Sequence, residues 1–203
     1  MSAGPKKLEN SSLDKLGEFR YFDYSMTNDE KKLKPSAAVF TLIAIIGRLV
    51  PHLPNMTPLG ASAIFGGKKL SRPWNYLLPL TILFFTDMIL GFHDSMIYVY
   101  LSFGLIVFLS EKVRNDSVLG LGSTAVAASL IFFVVTNFGV WLNGWYPHTL
   151  AGLIDSFVMG LPFLRNMLIG DVLYTGIFFG AYKLVTNLKV TQKFDNKILG
   201  WIN

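Results

Sequence analysis

Six apolar stretches separated by short polar breaks fill the chain between residues 36 and 185. They run from Ser36 to Val50, Leu59 to Gly67, Trp74 to Phe92, Met96 to Ser110, Val118 to Leu142 and Phe163 to Val185. Apolar runs of this kind, hydrophobic nearly all round, predict membrane-spanning helices rather than the one-sided stripes of soluble ones. A full crossing takes about 20 residues, so the second stretch crosses only by drawing on its flanks. If it turned back instead, every later loop would change sides.

The breaks carry their own signals. PHLPNMTP, residues 51–58, holds Pro51, Pro54 and Pro58. Proline removes backbone donors and breaks helices, and irregular backbone at membrane depth survives only inside protein or beside a wet cavity. The segment points to a cavity opening outward, with a plain tight turn as the alternative. From Thr149 to Met159 the apolar residues Leu150, Leu153, Ile154, Phe157 and Val158 fall at helical spacing. Thr149 is a suitable cap, and Gly160-Leu161-Pro162 is expected to end the helix. The expectation is a short outer lid helix, loosened at Gly152 and Gly160. Small residues four apart, Gly120, Thr124 and Ala128 in the fifth stretch and Gly176 and Gly180 in the sixth, predict close helix packing.

Charge orients this pattern. Among the 18 Lys and Arg residues, only Arg48 and Arg165 lie outside the N-terminal arm, the alternate loops and the C-terminal end. The positive-inside rule then places both termini in the cytoplasm of a multi-pass inner-membrane protein. Three segments follow: a cytoplasmic arm, 1–35; a six-span transmembrane domain, 36–186; and a cytoplasmic tail, 187–203. The arm is polar, with no apolar core of a signal peptide expected in it. Its FRYFDY segment, Phe19 to Tyr24, is aromatic enough to dock on a partner.

Composition agrees: 52% of residues are hydrophobic and 15% charged. The net charge of +5 falls in loops facing anionic headgroups and does not imply nucleic acid. Without cysteine there are no disulfides, thiolate catalysts or thiolate metal ligands.

The outer half gathers the polar residues a bilayer disfavours. Ionisable groups there cost at least about 2.5 kcal/mol each and need a partner or a function. Arg48, Asp87, Arg165, Asn166 and Asp171 lie within or at the ends of spans. His52, Asn55, His93, Asn137, Trp141, Trp145, Tyr146 and His148 lie in or near the outer loops. Together they are the candidate substrate-binding residues. The structural alternative is that Arg48 and Arg165 neutralise Asp87 and Asp171 and hold the bundle together. The histidines sit in three different loops without metal-ligand spacing, so no metal site is expected, although one histidine could touch a metal-centred ligand. No P-loop, GxSxG or spaced carboxylate pair suggests an enzyme, and no resident cofactor is implied.

At RLVPHLPNMTPLGASAIFGG (Arg48 to Gly67), TDMILGFH (Thr86 to His93), TNFGVWLNGWYPHTLAGL (Thr136 to Leu153) and PFLRNMLIGDVLYTG (Pro162 to Gly176), the chain resembles an uncharacterised bacterial membrane protein family. That family is similar to the substrate-binding S components of energy-coupling-factor (ECF) vitamin transporters. The resemblance covers about residues 37–185. It implies an all-α, six-helix transmembrane bundle that takes a vitamin or metal from outside and is driven by an ATPase coupling module. A related cobalamin-transporting group uses a cysteine near the cobalt, which this chain lacks. The docking signature of S components, small residues four apart in the first span, is met by Ala37 with Thr41 but not by Ala38 with Leu42.

The expected function is binding and uptake of a small molecule, vitamin-like or a metal-containing cofactor, through an outward-facing pocket. The alternative is an accessory or structural subunit of a larger membrane complex, reached through the N-terminal arm.

Overall fold

The structure, a computed structural model, describes residues 35–113 and 115–187. The expectations for the arm and its aromatic segment, for Arg114 and for the tail beyond Asn187 lie outside the described residues. Six helices follow in order: α1 Pro35–Leu49, α2 Leu59–Lys69, α3 Trp74–Leu90, α4 Met96–Lys112, α5 Val118–Leu142 and α6 Leu150–Asn187.

The short helix α2 is the centre. Residues Leu59 to Gly67 are all buried, and α2 touches every other helix. Its composition explains this. Gly60, Ala61, Ser62, Ala63, Gly66 and Gly67 keep the helix thin, so neighbours approach its backbone. A Cβ on Gly67 would stand 2.7 Å from the Val107 carbonyl oxygen and 2.6 Å from Ser110 Cβ; one on Gly66 would stand 2.8 Å from the Asn75 carbonyl oxygen. The large member, Phe65, meets the rings of Phe178, Phe179 and Tyr182 edge-on at 6.4, 5.6 and 5.4 Å between centroids. Aromatic pairs favour this geometry. Ile64, Ile82, Leu83, Ile106, Val107, Ala125 and Ala128 complete the core.

Polar groups anchor the C-terminal end of α2. Lys68, its side chain 2% exposed, donates to the Val113 and Asn115 carbonyls, and Lys69 pairs with Asp116. Partial burial pushes the Asp116 carboxyl up, but the hydrogen bond and charge of Lys69, with Lys68, outweigh it and hold the group below its usual range. Arg72 grips Glu111 with two hydrogen bonds of 2.9 and 2.7 Å.

The outward faces are apolar. Leu42, Ile46, Phe84, Phe85, Met88, Phe108, Val134, Ile169 and Ile177 are all exposed. Helix α5 and the stretch Leu150–Leu184 of α6 are long and apolar enough to cross a membrane.

Two expectations need correction. The first is the separate lid helix: 150–187 is one continuous helix that carries Pro162 inside it. Thr149 does cap it, its hydroxyl accepting from Gly152 N at 3.1 Å. The glycines taken as loosening points are close-approach positions instead. A Cβ on Gly160 would stand 2.3 Å from Asn137 Oδ1, and one on Gly152 2.1 Å from the Pro147 carbonyl oxygen. Held against α5 and its loop on these two glycines, the first turns of α6 stay in line with the rest. The second is the Gly176–Gly180 pair, which packs no helix: both are exposed, with open space where a Cβ would stand. The small stripe of α5 is buried as expected at Gly120, Thr124 and Ala128.

Candidate functional site

A cavity of about 450 Å³ opens at the N-terminal end of α2. Leu59 and Gly60, the first residues of α2, form part of its lining. Arg48 closes it from the end of α1, Asn55 and Thr57 from the proline-rich loop, and His93 from the loop after α3. Val99 and Phe103 of α4 and Phe132, Thr136, Asn137 and Val140 of α5 form further wall. Trp145 and Tyr146 of the next loop, with Ser156, Met159, Gly160, Phe163, Met167 and Asp171 of α6, complete it.

The proline-rich loop is held in shape locally. Met56 N donates to the Leu53 carbonyl at 2.9 Å, and Asn55 takes φ 62°. Proline at the second position of a turn and a left-handed asparagine at the third suit a type II turn. Asn166 of α6 donates to the Pro54 carbonyl at 3.1 Å and pins the loop to α6. The loop after α5 is tied in a similar way. Trp141 Nε1 donates to the Pro147 carbonyl at 3.0 Å, and the His148 ring lies 5.4 Å from the Trp141 ring, its Nε2 3.0 Å from the Trp141 carbonyl. Asn143 Nδ2 donates to the Asp94 carbonyl at 3.1 Å, joining this loop to the one that carries His93.

Two carboxylates mark the interior. Asp87 is 1% exposed; its Oδ1 accepts from Arg48 Nη2 at 2.7 Å and its Oδ2 from the Tyr100 hydroxyl at 3.1 Å. The expected partner of Arg48 is therefore Asp87. Asp171, also 1% exposed, has no cation as partner; Ser129 Oγ donates to its Oδ2 at 2.7 Å. Its Oδ1 lies against Gly60, where a Cβ would stand 2.0 Å away. The carboxyl group thus lies beside the first turn of α2, whose Leu59 N–H is met by Thr57 Oγ1 at 3.4 Å and not by the carboxylate.

The candidate residues divide accordingly. Arg48, Asn55, His93, Asn137, Trp145, Tyr146 and Asp171 are brought together on the cavity. Asp87, Trp141, His148 and Asn166 do not line it; Asp87 holds Arg48, which does, and the other three brace the loops that carry Asn55, Trp145 and Tyr146. His52 turns its Nδ1 to the Val50 carbonyl at 2.7 Å, away from the lining. Arg165 is exposed and pairs with neither aspartate, so it does not neutralise Asp171. It lies six positions before Asp171 on α6, about 120° round the helix from it. Among the described residues no three His, Cys, Asp or Glu side chains gather as metal ligands.

Thr57, Thr136, Ser156, Phe103, Phe132, Phe163 and Met167 line the cavity without having been singled out. Phe103 and Phe132 look like ordinary core positions in a sequence, and only the shortness of α2 hints that something besides side chains meets them.

Fold and site define an all-helical protein with two membrane-length helices and a polar-lined cavity among its helix ends. The chain belongs to the family of unknown function DUF6580, whose model matches residues 30–194. No curated protein and no solved structure matches it.

Proposed function

We propose that this is a multi-pass membrane protein, both termini cytoplasmic, that binds a small organic molecule in an outward-facing cavity and mediates its uptake in the manner of an S component. The observation that carries this is the cavity itself. It lies at the end of the bundle where the loops contain no Lys or Arg, and its volume falls within the roughly 300–1,000 Å³ usual for ligand sites. Its makeup, aromatic walls with a few converging polar groups, is that of small-molecule sites generally. The apolar outer surface supports the membrane setting, and the resemblance to S components supports uptake driven by a partner ATPase module. A solid core at this end would have favoured an accessory subunit instead.

The test is mass spectrometry of the protein purified from its membrane, which should release one co-purifying small molecule. Truncation of Trp145 or Asn137 to Ala should leave membrane expression unchanged and weaken retention of that compound about tenfold or more, the scale of losing one central aromatic or polar contact. Full retention by both variants would remove the cavity as the binding site.

The orientation has its own check. Single cysteines at Asn143 and Lys112 are expected to react with an impermeant thiol reagent from opposite faces, position 143 from outside. Outside labelling at position 112 would invert the arrangement.

A further inference from the structure

We propose that the cavity takes a ligand with a single carboxylate-type negative charge, and that Arg48 binds it through the guanidinium nitrogen that Asp87 leaves free. This deepens the binding function proposed above and depends on it.

Arg48 lines the cavity and is only partly committed. Its Nη2 donates to Asp87 Oδ1 at 2.7 Å. The other oxygen of Asp87 accepts from Tyr100. Arg48 Nη1 is buried and has no acceptor among the described residues. A buried donor on a cation without an acceptor is costly, and most such groups in folded proteins are satisfied. An occupant of the cavity that brings an oxygen to this nitrogen satisfies it. An ionised oxygen adds charge attraction to that hydrogen bond, which a neutral carbonyl does not.

The charges around the cavity fix how negative the occupant is. Arg48 is already matched by Asp87, and Asp171 brings no positive charge. No lysine lines the cavity. A dianion such as a phosphate monoester would meet a wall that is neutral or negative in sum. Beside the first turn of α2, the protein's own Asp171 carboxyl already lies against Gly60 and disfavours a second anion there. The ligand's charge therefore belongs at Arg48. Phe103 and Phe132 offer the rest of the molecule an apolar, ring-sized surface. The chemical class is an organic monoacid with an apolar or aromatic body.

The probes are matched pairs added to the purified full-length protein in detergent: indole-3-acetate with indole-3-acetamide, nicotinate with nicotinamide, and phenyl phosphate as dianion. Binding is read by calorimetry and by the rise in unfolding temperature. At least one acid is expected to bind about tenfold or more tighter than its amide, the worth of one hydrogen bond to a charged group, with phenyl phosphate no tighter than the amides. Arg48→Lys, which keeps a charge beside Asp87 but loses the second nitrogen, should erase the preference for acid over amide. If that variant does not fold, the comparison on the unaltered protein decides. Equal binding of acid and amide overturns the inference and leaves the cavity as a binding site. So does tightest binding of phenyl phosphate, or a co-purifying compound that lacks a carboxylate. If no probe binds but the co-purifying compound is a monoacid, the inference stands. No response to any probe, with nothing co-purifying, overturns both the inference and the binding function on which it depends.

Discussion

Replacing Arg48 with Leu is expected to destabilise the protein by about 3–5 kcal/mol, the range for removing one member of a buried ion pair. The loss comes less from the missing attraction than from what stays behind. Asp87 is 1% exposed and would keep only the Tyr100 hydroxyl. Replacing Asp87 with Leu at the same time should restore part of the loss, because no charge is then stranded. Chemical unfolding in detergent of both single variants and the double one gives the coupling energy, expected at about 1 kcal/mol or more for groups in direct contact. Zero coupling would show that the 2.7 Å contact contributes nothing to folding. The corresponding change at Arg165, exposed and without an acidic partner among the described residues, should be near neutral.

Gly67→Val is the other change expected to destabilise the fold. Its Cβ would enter space held by the Val107 carbonyl oxygen and Ser110 Cβ, both at under 3 Å. Backbone cannot swing aside as a side-chain tip can, so α2 and α4 must separate. Overpacking of this kind costs about 1–3 kcal/mol and sometimes more. The matched control is Gly104→Ala in α4, where nothing lies within 4 Å of the new Cβ. There the better helix propensity of alanine should stabilise by about 0.5–1 kcal/mol. Unfolding temperatures moving in opposite directions for the two variants would establish that closeness, not glycine content, governs α2. Equal shifts would refute it.

The helices were legible because apolar runs with polar ends leave few choices. The bounds expected for the fifth stretch, Val118 to Leu142, are those of α5, and the second stretch, expected to be short, forms the shortest of the described helices, Leu59–Lys69. The site was legible in its parts. Proline-rich backbone, a charged Arg48 at the end of an apolar run and the aromatic Trp145-Tyr146 pair all stand out in the sequence, and they do meet around one space. What misled was glycine and proline. Gly152, Gly160 and Pro162 spell a break in any local reading, but local preference cannot register that Asn137 and Pro147 lie against those glycines. Nor can a sequence say whether a tryptophan faces a cavity or braces a loop. Trp141 and Trp145 lie four positions apart; one ties down Pro147 and the other faces the open space.

The half-length of α2 has a consequence for size selection. Its 11 residues rise about 16 Å, while the 25 residues of α5 rise about 38 Å. The loop 51–58 stands ahead of α2, and the cavity opens at the helix's first residues, Leu59 and Gly60. The floor of the cavity is set by where that helix begins. One more turn ahead of Leu59 would raise the floor by about 5.4 Å, and one turn fewer would lower it by as much. A bundle built this way can change the length of molecule it admits in helical steps, by moving a single start point, while the walls that hold it upright stay as they are.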